Sequence, residues 1–376
     1  MPAYESIVIG AGIIGASAAL HLAAHGPTLL IERFEFLHER GSSHGGSRIF
    51  RHAYEDEGHV RLARAADKAW RQIEERTGER LLVRTGGLDI LKVGSPIATD
   101  IASALTAAGS PFEVLSGQET RNRFPAFQLA DDDQAVYQPD AGITPATRAV
   151  ATLLRATAAM GATLRERETV TGVRAVNGGV EVTTDKDTYS AARVVVAGGP
   201  WLGHVLPELG LALRVIKQQV LYLRIKDGAR EFAPYRMPVF IDRRVGEIYG
   251  MAAFELPHAI KVGDHAAAIP TDPDTRGFDL EQELAERTAA ATKALMPNLT
   301  GEIVSGITCL YTKTRDERFI IDSHPEHPQI VVAGGGSGHA FKFGPVLGEA
   351  AAGLALGTGS PHDISQFTLA RFKGAA

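Results

Sequence analysis

Three glycines near the start of the chain are spaced to bind a phosphate group. Gly10, Gly12 and Gly15 follow the β-branched run 6–9 and lead into the apolar segment 16–24. In a strand–turn–helix of this kind, the first glycine permits a tight turn, the second lets the backbone approach a pyrophosphate, and the third lets the helix pack closely on the strand. The helix amides then point at the phosphates. The pattern therefore predicts a dinucleotide-binding turn.

An acidic residue follows at the spacing expected for ribose recognition. The apolar run 28–31 ends in Glu32, seventeen residues beyond Gly15, close to the spacing of about 20 that is typical of a Rossmann βαβ unit. A carboxylate accepts hydrogen bonds from ribose hydroxyls and repels a 2′-phosphate. We therefore expect FAD or NAD as the ligand and not NADP.

The segment 41–52, which follows this unit, gathers cations, hydroxyls and glycines. It contains two arginines and two histidines. One interpretation is a flexible surface loop with solvated charges. The other is a loop that faces an anion and a flavin, because the arginine fork suits a carboxylate.

Composition and charge restrict the partners of the protein. The 376 residues carry 39 basic and 44 acidic side chains, a formal net charge of −5, so nothing indicates binding to nucleic acid or to an anionic membrane. The single cysteine, Cys309, excludes an intrachain disulfide and a multi-cysteine metal site, and we expect a cytoplasmic protein without a metal.

The stretch 7–24 has no Lys, Arg, Asp or Glu, but it lacks the flanks of a signal peptide and is interrupted by glycines. We interpret it as the βα turn and not as a membrane span.

The elements that must position these residues come from distant parts of the chain. Buried strand patterns at 6–9, 193–196 and 330–333 each run into glycines. This repeated transition predicts an α/β protein, α+β overall, in which a discontinuous Rossmann-type dinucleotide domain is joined to a second, mixed-sheet substrate domain. The expected boundaries are 1–85, 145–214 and 315–376 for the first domain and 86–144 and 215–314 for the second.

Shorter patterns fill in both predicted domains. Asn177-Gly178 predicts the turn of a hairpin over 170–181. Alternating residues predict strands at 88–91 and 215–225. The spacing of apolar residues predicts helices over 101–108 and 280–295, the second with Asp279 as its N-cap.

Several of these motifs together resemble one family. They are the glycine motif, the loop 41–51, the run Lys261–His265, the run Cys309–Thr314 with Asp316 and Phe319–Asp322, and the run Gly336–Phe343. In this order along nearly the whole chain, they resemble the monomeric sarcosine oxidase group, which includes N-methyltryptophan oxidase and pipecolate oxidase, within the D-amino-acid-oxidase-like flavoproteins. Residues 226–258 barely match.

The resemblance implies FAD as the cofactor and makes the first domain the FAD-binding one. It further implies that Cys309 is attached covalently to the flavin 8α-methyl group, whereas composition alone would favour a small buried hydrophobe. Matching positions imply cofactor contacts at Gly10, Gly12, Ile13, Ile14, Gly15, Glu32, Arg33, Ser42, Ser43, Gly338 and Lys342.

The resemblance also implies a site for the substrate carboxylate. Arg51 and Lys342 match the two cations that hold it, and fixing a carboxylate directs the α-C–H of an amino acid at flavin N5. Tyr249 matches a further substrate-binding position. The alternative for Lys342 is a helix-start lysine that extends into solvent.

The remaining matches imply catalytic positions. Lys261 matches a lysine that activates oxygen, since an ammonium stabilises superoxide as it forms; an exposed strand lysine is the alternative. His265 lies two strand periods from Lys261 and so on the same face, where it would orient the substrate or accept its amine proton, although a lone histidine is more often structural. His44 and Arg48 match residues that pack against the flavin ring, and Tyr311 matches an active-site tyrosine.

The implied activity is the oxidation of a secondary α-amino acid. A hydride equivalent passes to the flavin, an imine is released, and O2 is reduced to H2O2. Gly336 and Ala340 stand where sarcosine-type sequences usually have an aromatic residue and a glycine, which favours a bulkier N-substituted or cyclic substrate. The alternatives are a flavin dehydrogenase with another electron acceptor, an NAD-dependent dehydrogenase and a non-catalytic flavin-binding subunit. We expect a monomer or weak dimer that acts on a small molecule.

Overall fold

Two large β-sheets and a small third sheet organise the computed structural model, which describes residues 3–244 and 246–372. In chain order the strands are β1 Tyr4–Ile9, β2 Thr28–Ile31, β3 Arg48–Phe50, β4 Val83–Arg84, β5 Gly87–Lys92, β6 Glu113–Ser116, β7 Asp133–Gln138, β8 Gly142–Thr144, β9 Thr163–Arg165, β10 Val170–Val176, β11 Gly179–Thr184, β12 Thr188–Val196, β13 Arg214–Ile225, β14 Val239–Asp242, β15 Ile248–Leu256, β16 Ala259–Asp264, β17 Ile269–Pro270, β18 Leu299–Lys313, β19 Ile320–Ser323 and β20 Ile330–Gly334. The α-helices are α1 Ile13–Ala23, α2 Glu57–Thr77, α3 Pro96–Ala107, α4 Gly117–Arg123, α5 Ala146–Ala159, α6 Leu202–Val205, α7 Gln282–Leu295 and α8 Gly344–Leu356. Short 3₁₀ helices span Gly199–Trp201, Pro207–Leu209, Phe341–Phe343, Ser365–Phe367 and Leu369–Phe372.

The first sheet brings the three predicted strand-to-glycine transitions together. Its parallel strands lie in the order β9, β2, β1, β12, β20. The antiparallel hairpin β10–β11 pairs with the first half of β12, and β19 pairs with β20. Because the chain proceeds to opposite sides of β1, the carboxyl ends of β1 and β12 form a topological switch point, where open α/β sheets bind ligands.

Helices α1 and α8 pack on each other over this sheet. Helix α1 is apolar on nearly every side and buried along most of its length, as expected for a helix enclosed between a sheet and a second helix. The close approach depends on a small residue in α8, since a Cβ on Gly348 would lie 2.4 Å from the Cβ of Ser17. The packing fixes the glycine turn that precedes α1.

The second sheet places chemically active side chains on neighbouring strands. Its order is β17, β13, β16, β15, β14, β5, β7, β6, with β18 paired to the other side of β13. In the register of these strands, Cys309 of β18 lies opposite Gln218 of β13, and Lys261 of β16 lies opposite Tyr222 of β13. The antiparallel ladder therefore places a thiol and an amine on the two strands that pair with β13.

The predicted division of the chain can be compared with these sheets. Strands of the first sheet fall within 1–85, 145–214 and 315–376, and strands of the second fall within 86–144 and 215–314 except for Arg214. The small sheet β3–β8–β4 draws on both sets of segments. The division into two domains itself stays a prediction.

Two local expectations need correction. Helix α7 begins at Gln282 and its N-cap is Glu281, so the prediction of Asp279 as N-cap is wrong. The reason is tertiary: the amide side chain of Gln219 accepts a hydrogen bond from the Glu281 N–H at 2.8 Å and donates one to its carbonyl at 3.1 Å, which fixes the helix start. Helix α3 begins five residues before the predicted 101, at Pro96, a favoured first position of a helix.

Over residues 3–244 and 246–372, none of the helices has the length and apolar character needed to cross a bilayer.

Candidate active site

Two adjoining cavities open at the carboxyl edge of the first sheet. One has a volume of about 320 Å³ and the other of about 530 Å³. Gly12, Ser42, Ser43, Ala197 and Gly199 line both. The cavities therefore meet at the glycine turn and form one elongated site.

The turn after β1 requires glycine at two of the predicted positions. Gly10 has a φ of +96°, and a Cβ there would lie 2.4 Å from the carbonyl oxygen of Ala197. A Cβ on Gly15 would lie 1.9 Å from the carbonyl oxygen of Gly10. The Ser43 hydroxyl accepts a hydrogen bond from the Ile13 N–H at 3.0 Å, so the loop 41–51 lies directly against the start of α1.

Glu32 lies in the smaller cavity with its carboxylate already ordered. It accepts hydrogen bonds from the N–H groups of Ala11 at 2.8 Å and Phe34 at 3.1 Å, and His38 lies 3.4 Å away. Burial raises the pKa of Glu32, but His38 and the two backbone donors outweigh it and leave the pKa below its ordinary value. The side chain is therefore an anionic acceptor in the cavity, as ribose recognition requires.

Other predicted cofactor residues line the same end of the site. Arg33 forms an ion pair with Asp274 at 2.6 Å, and the Trp201 indole N–H donates to the same carboxylate at 2.8 Å. His44 also faces the smaller cavity, away from the larger one where a ring-packing residue was expected. Burial and then Arg48 lower the pKa of His44 to about 3, so the imidazole is neutral.

In the larger cavity, the half-buried Arg51 and the buried Lys342 both contact Tyr54, a residue that sequence reasoning missed. The guanidinium carbon of Arg51 lies 4.3 Å from the ring centre of Tyr54, and the Lys342 ammonium donates to the Tyr54 hydroxyl at 2.7 Å and to the His339 carbonyl at 2.8 Å. Lys342 is 4% exposed, so it does not extend into solvent. Burial, and to a smaller extent the charge of Arg51, holds the pKa of Lys342 well below its usual range. Lys342 lies two residues before α8 in the sequence, and nothing in that position predicts Tyr54 as its hydrogen-bond partner.

Arg48 and Lys261 occupy the part of the cavity nearest β13. Lys261 is 2% exposed, so it is not an exposed strand lysine. Both cations donate to the Ser47 carbonyl, at 2.9 Å and 3.1 Å respectively. Burial, and to a smaller extent the charge of Arg48, lowers the pKa of Lys261 to about 8. Glu255, a second residue that sequence reasoning missed, forms an ion pair with Lys261 at 2.8 Å.

Cys309 and a group of aromatic side chains line the same cavity. Cys309 is 5% exposed, and burial raises the pKa of its thiol although nearby cations oppose the shift. The Tyr311 ring lies 5.2 Å from that of His265. Burial, and to a smaller extent the charge of Lys313, lowers the pKa of His265 to about 4, so its imidazole is neutral. Burial raises the pKa of Tyr249 to about 12.

The glycine segment after β20 closes this wall. Gly338 has a φ of +87°, and a Cβ there would lie 2.4 Å from the Tyr311 ring. Ile14, Gly336 and Ala340 also line the larger cavity. Of all the predicted site residues, only Gly15 lines neither cavity, and its part is to let the turn close.

Charged residues at the rim form a third feature that the sequence did not indicate. Arg243 forms ion pairs with Asp89 at 3.2 Å and with Glu55 and Glu247 at 2.9 Å each. Its side chain is 9% exposed. Arg243 and Glu247 lie in the connection between β14 and β15, whereas Glu55 and Asp89 come from distant parts of the chain that no short sequence pattern connects to it.

The two cavities together suit a dinucleotide with a flat ring. The smaller one offers an anionic acceptor for a ribose, and the junction offers the amides at the start of α1 for a pyrophosphate. The larger one holds buried cations, aromatic rings and a thiol. A cofactor bound this way would lie with its ring among the groups that line the larger cavity.

Comparison with known proteins gives a consistent result. The model of the FAD dependent oxidoreductase family matches residues 5–354. A monomeric sarcosine oxidase of Streptomyces avermitilis is 34% identical, over 100% of this chain and 99% of that protein. An N-methyl-L-tryptophan oxidase of Yersinia pestis is 33% identical, over 98% and 100% respectively. Among solved structures, the open form of NikD, an unusual amino acid oxidase essential for nikkomycin biosynthesis, superimposes with a TM-score of 0.85 at 26% identity, over 97% of each chain.

Proposed function

The chain belongs to the FAD dependent oxidoreductase family, and on this premise we propose that it oxidises the Cα–N bond of a secondary α-amino acid with O2 as the electron acceptor. FAD, when bound, supplies the two-electron chemistry. The protein supplies the residues that bind the acid, orient it and handle its protons.

The pairing of the buried Lys342 with the half-buried Arg51 in the larger cavity carries this proposal. Among the described residues, no carboxylate lies within 4 Å of Arg51 or Lys342. Asp89, whose charge acts on Lys342, is ion-paired with Arg243 instead. A buried lysine beside an arginine is costly in its charged form unless an anion completes the site. A substrate carboxylate would complete it and would be held in one orientation by the two donors.

The groups around this anion site suit a secondary amine. His265 is neutral at physiological pH because of its lowered pKa, so it can orient the substrate by accepting a hydrogen bond from its amine and does not repel a positive charge there. Tyr249 and Tyr311 remain protonated, since burial raises the pKa of both, and they supply apolar ring surface. The bare backbone of Gly336 leaves that side of the cavity without a side chain, which supports a substrate bulkier than sarcosine, with an N-substituent or a ring.

The experiment that tests the activity compares acids with matched amines. The purified protein is incubated in air with sarcosine, other N-methyl amino acids, pipecolate, proline and iminodiacetate, and with N-methylated amines that lack the carboxylate, while peroxide is measured. We expect peroxide from at least one acid and little from its amine. Replacing Arg51 by Gln removes a charge-assisted hydrogen bond worth about 1.5–3 kcal/mol, so kcat/KM should fall roughly tenfold to a hundredfold. Failure of every acid, or equal turnover of the amines, would contradict the proposal.

We further propose that Cys309 attaches the flavin covalently. The position of the thiol in the wall of the larger cavity supports this link. The reaction needs the thiolate, and Arg48, Lys261 and Arg276 offset part of the rise in the thiol pKa that burial causes. The wild-type protein precipitated with acid should remain yellow, whereas the Cys309→Ser variant should release its FAD into the supernatant. A colourless wild-type pellet would rule out the link.

Lys261 is proposed to act in the reaction with O2. Its ammonium is buried beside the region that we assign to the flavin ring, where a fixed positive charge stabilises a developing superoxide anion. The Lys261→Met variant, once reduced and mixed with air, should regain its flavin colour much more slowly than the wild type. Unchanged reoxidation would remove the lysine from this role.

A further inference from the structure

Glu255 places a fully hydrogen-bonded carboxylate against the Lys261 ammonium. Its oxygens accept hydrogen bonds from the Gly46 N–H at 3.1 Å, the Tyr222 hydroxyl at 2.8 Å, the Lys261 ammonium at 2.8 Å, and the Ser47 hydroxyl. The side chain is 16% exposed. Glycine is required at position 46 to admit it, because a Cβ there would lie 2.2 Å from one of the carboxylate oxygens. Three separate parts of the chain therefore converge on this one acid.

The ammonium is held as completely as the carboxylate. Lys261 donates to Glu255, to the Ser47 carbonyl at 3.1 Å and to the Ser47 hydroxyl at 3.3 Å. An ammonium has three N–H donors. All of them are thus used within the protein, and the position of the charge is fixed before any ligand arrives.

The local charge balance gives Glu255 its importance. Arg48 and Lys261 share the Ser47 carbonyl as an acceptor. Among the residues that the structure describes, Glu255 is the one carboxylate within 4 Å of either cation. Without it, the buried Lys261 ammonium and the half-buried Arg48 guanidinium would lie side by side. An arginine keeps its proton under such conditions, whereas a lysine readily loses it.

We propose that Glu255 is a positioning residue that holds Lys261 in its charged form, and that it thereby sets the pH range over which the reduced enzyme reacts with O2. This inference rests on the proposed role of Lys261 in that reaction. Glu255 does not need to touch the flavin or the substrate, because it acts through the lysine.

The other titratable groups around Lys261 do not change charge in the relevant range. Arg48 stays protonated. Burial raises the pKa of both Tyr222 and Cys309, and burial lowers that of His44 to about 3. Burial raises the pKa of Glu255, but Lys261, Ser47 and Tyr222 outweigh it and hold the carboxyl ionised. Lys261, with a pKa lowered to about 8, is the group that titrates near neutral pH, and the negative charge of Glu255 opposes that lowering.

The test follows the charge of Lys261 in the FAD-loaded protein in two ways. The visible absorption of the oxidised enzyme is recorded against pH without substrate, because loss of a charge beside the flavin shifts its bands. The rate of reoxidation is recorded against pH after anaerobic reduction and mixing with O2. The variants are Glu255→Gln, Glu255→Asp and Lys261→Met. Glu302→Gln, which removes a surface carboxylate paired with Arg224 at 2.6 Å, is the matched control.

We expect wild type and the control to show one step near pH 8 in both measurements. In Glu255→Gln the step should move down by about one pH unit or more, which lowers reoxidation at pH 8 by about fivefold or more, since the charged fraction falls from about one half to about one tenth. Glu255→Asp, whose shorter side chain keeps the charge farther away, should lie between them. A step that stays in place in Glu255→Gln, or in Glu255→Asp if the Gln variant does not retain FAD, would overturn the inference. Lys261→Met should lack the step; if it reoxidises like wild type, the proposed role of the lysine fails and not only that of Glu255.

Discussion

Tyr54 shows how one hydroxyl group supports the anion site. Replacing it by Phe keeps the ring beside Arg51 but removes one of the two groups that accept hydrogen bonds from the Lys342 ammonium. The pKa of Lys342, already lowered by burial, should fall further. We expect kcat/KM for the acid substrate to fall about tenfold, the effect of losing one hydrogen bond to a charged group, and the loss should grow toward alkaline pH.

The measurement is kcat/KM against pH for Tyr54→Phe and for the control Tyr235→Phe, whose side chain is 81% exposed. Identical profiles for wild type and Tyr54→Phe would show that the hydroxyl does not support the lysine.

At the scale of single residues, the sequence predicted site residues best where residue type and spacing together form a motif. The glycines of the first turn and Glu32 were predicted from a short local pattern, and Cys309 was predicted from the family resemblance; each of them lines or shapes the two cavities. Tyr54 and Glu255 were missed for a physical reason. Tyr54 lies 288 residues before its partner Lys342, and a hydrogen bond between distant segments leaves no periodic trace in the sequence. Glu255 lies only six residues before Lys261, but the register of the β15–β16 hairpin shifts between Met251 and Leu256, so strand alternation does not reveal the pair.

The strand–turn–helix at the start of the chain depends on a conformation that only glycine adopts without cost. In Gly10→Ala both the positive φ and a contact of 2.4 Å with the Ala197 carbonyl oppose the added methyl group. Gly178 offers a matched control, because its φ is +84° but nothing lies within 4 Å of its added Cβ. Gly178→Ala should cost about 1–2 kcal/mol of stability. Gly10→Ala should cost more and should also lower the FAD content.

Urea unfolding and the flavin absorbance of the purified variants measure the two effects. Equal loss of stability in both variants, with full FAD content, would show that the close approach to Ala197 is not important.

Elements were predicted best where a pattern is long or buried. The strands at 193–196 and 330–333, and the hairpin at Asn177-Gly178, all lie where their residue types indicated. The start of α7 was misplaced because hydrogen bonds with Gln219, on the neighbouring strand β13, fix the helix start at Glu281. Asp279 is a typical N-cap residue, but its presence in the sequence does not indicate this tertiary contact. Very short strands such as β4 exist only through pairing with β8, so they have no pattern of their own.

On the scale of the whole molecule, the two large sheets meet over the dinucleotide site. The α/β class and the origin of each sheet in particular segments followed from the repeated strand-to-glycine pattern. The contact between the two large sheets did not follow from this pattern. It depends on long-range hydrogen bonds, such as that from Arg276 to the Glu39 carbonyl at 2.9 Å. Such contacts join segments more than two hundred residues apart.

Asp274 provides a test of this closure. It lies in the segment after β17 and holds Arg33 and Trp201 of the first sheet's segments at the mouth of the smaller cavity. In a Cys309→Ser background, where FAD is exchangeable, Asp274→Ala should speed FAD release about two- to fivefold, because a partly exposed ion pair contributes at most about 1 kcal/mol. Salt should reduce the difference, since it screens exposed charges.

The release is followed by the rise in flavin fluorescence after dilution, at low and at high salt. Glu302→Ala in the same background removes an ion pair of the second sheet that is remote from both cavities, and it should release FAD at the parent rate. If Asp274→Ala also releases FAD at the parent rate in low salt, the contact does not retain the cofactor. The position of the second sheet over the smaller cavity would then depend on the hydrogen bonds that the Arg276 side chain donates to the backbone carbonyls of Glu39 and Arg40. Salt does not readily screen these contacts, because they are largely buried.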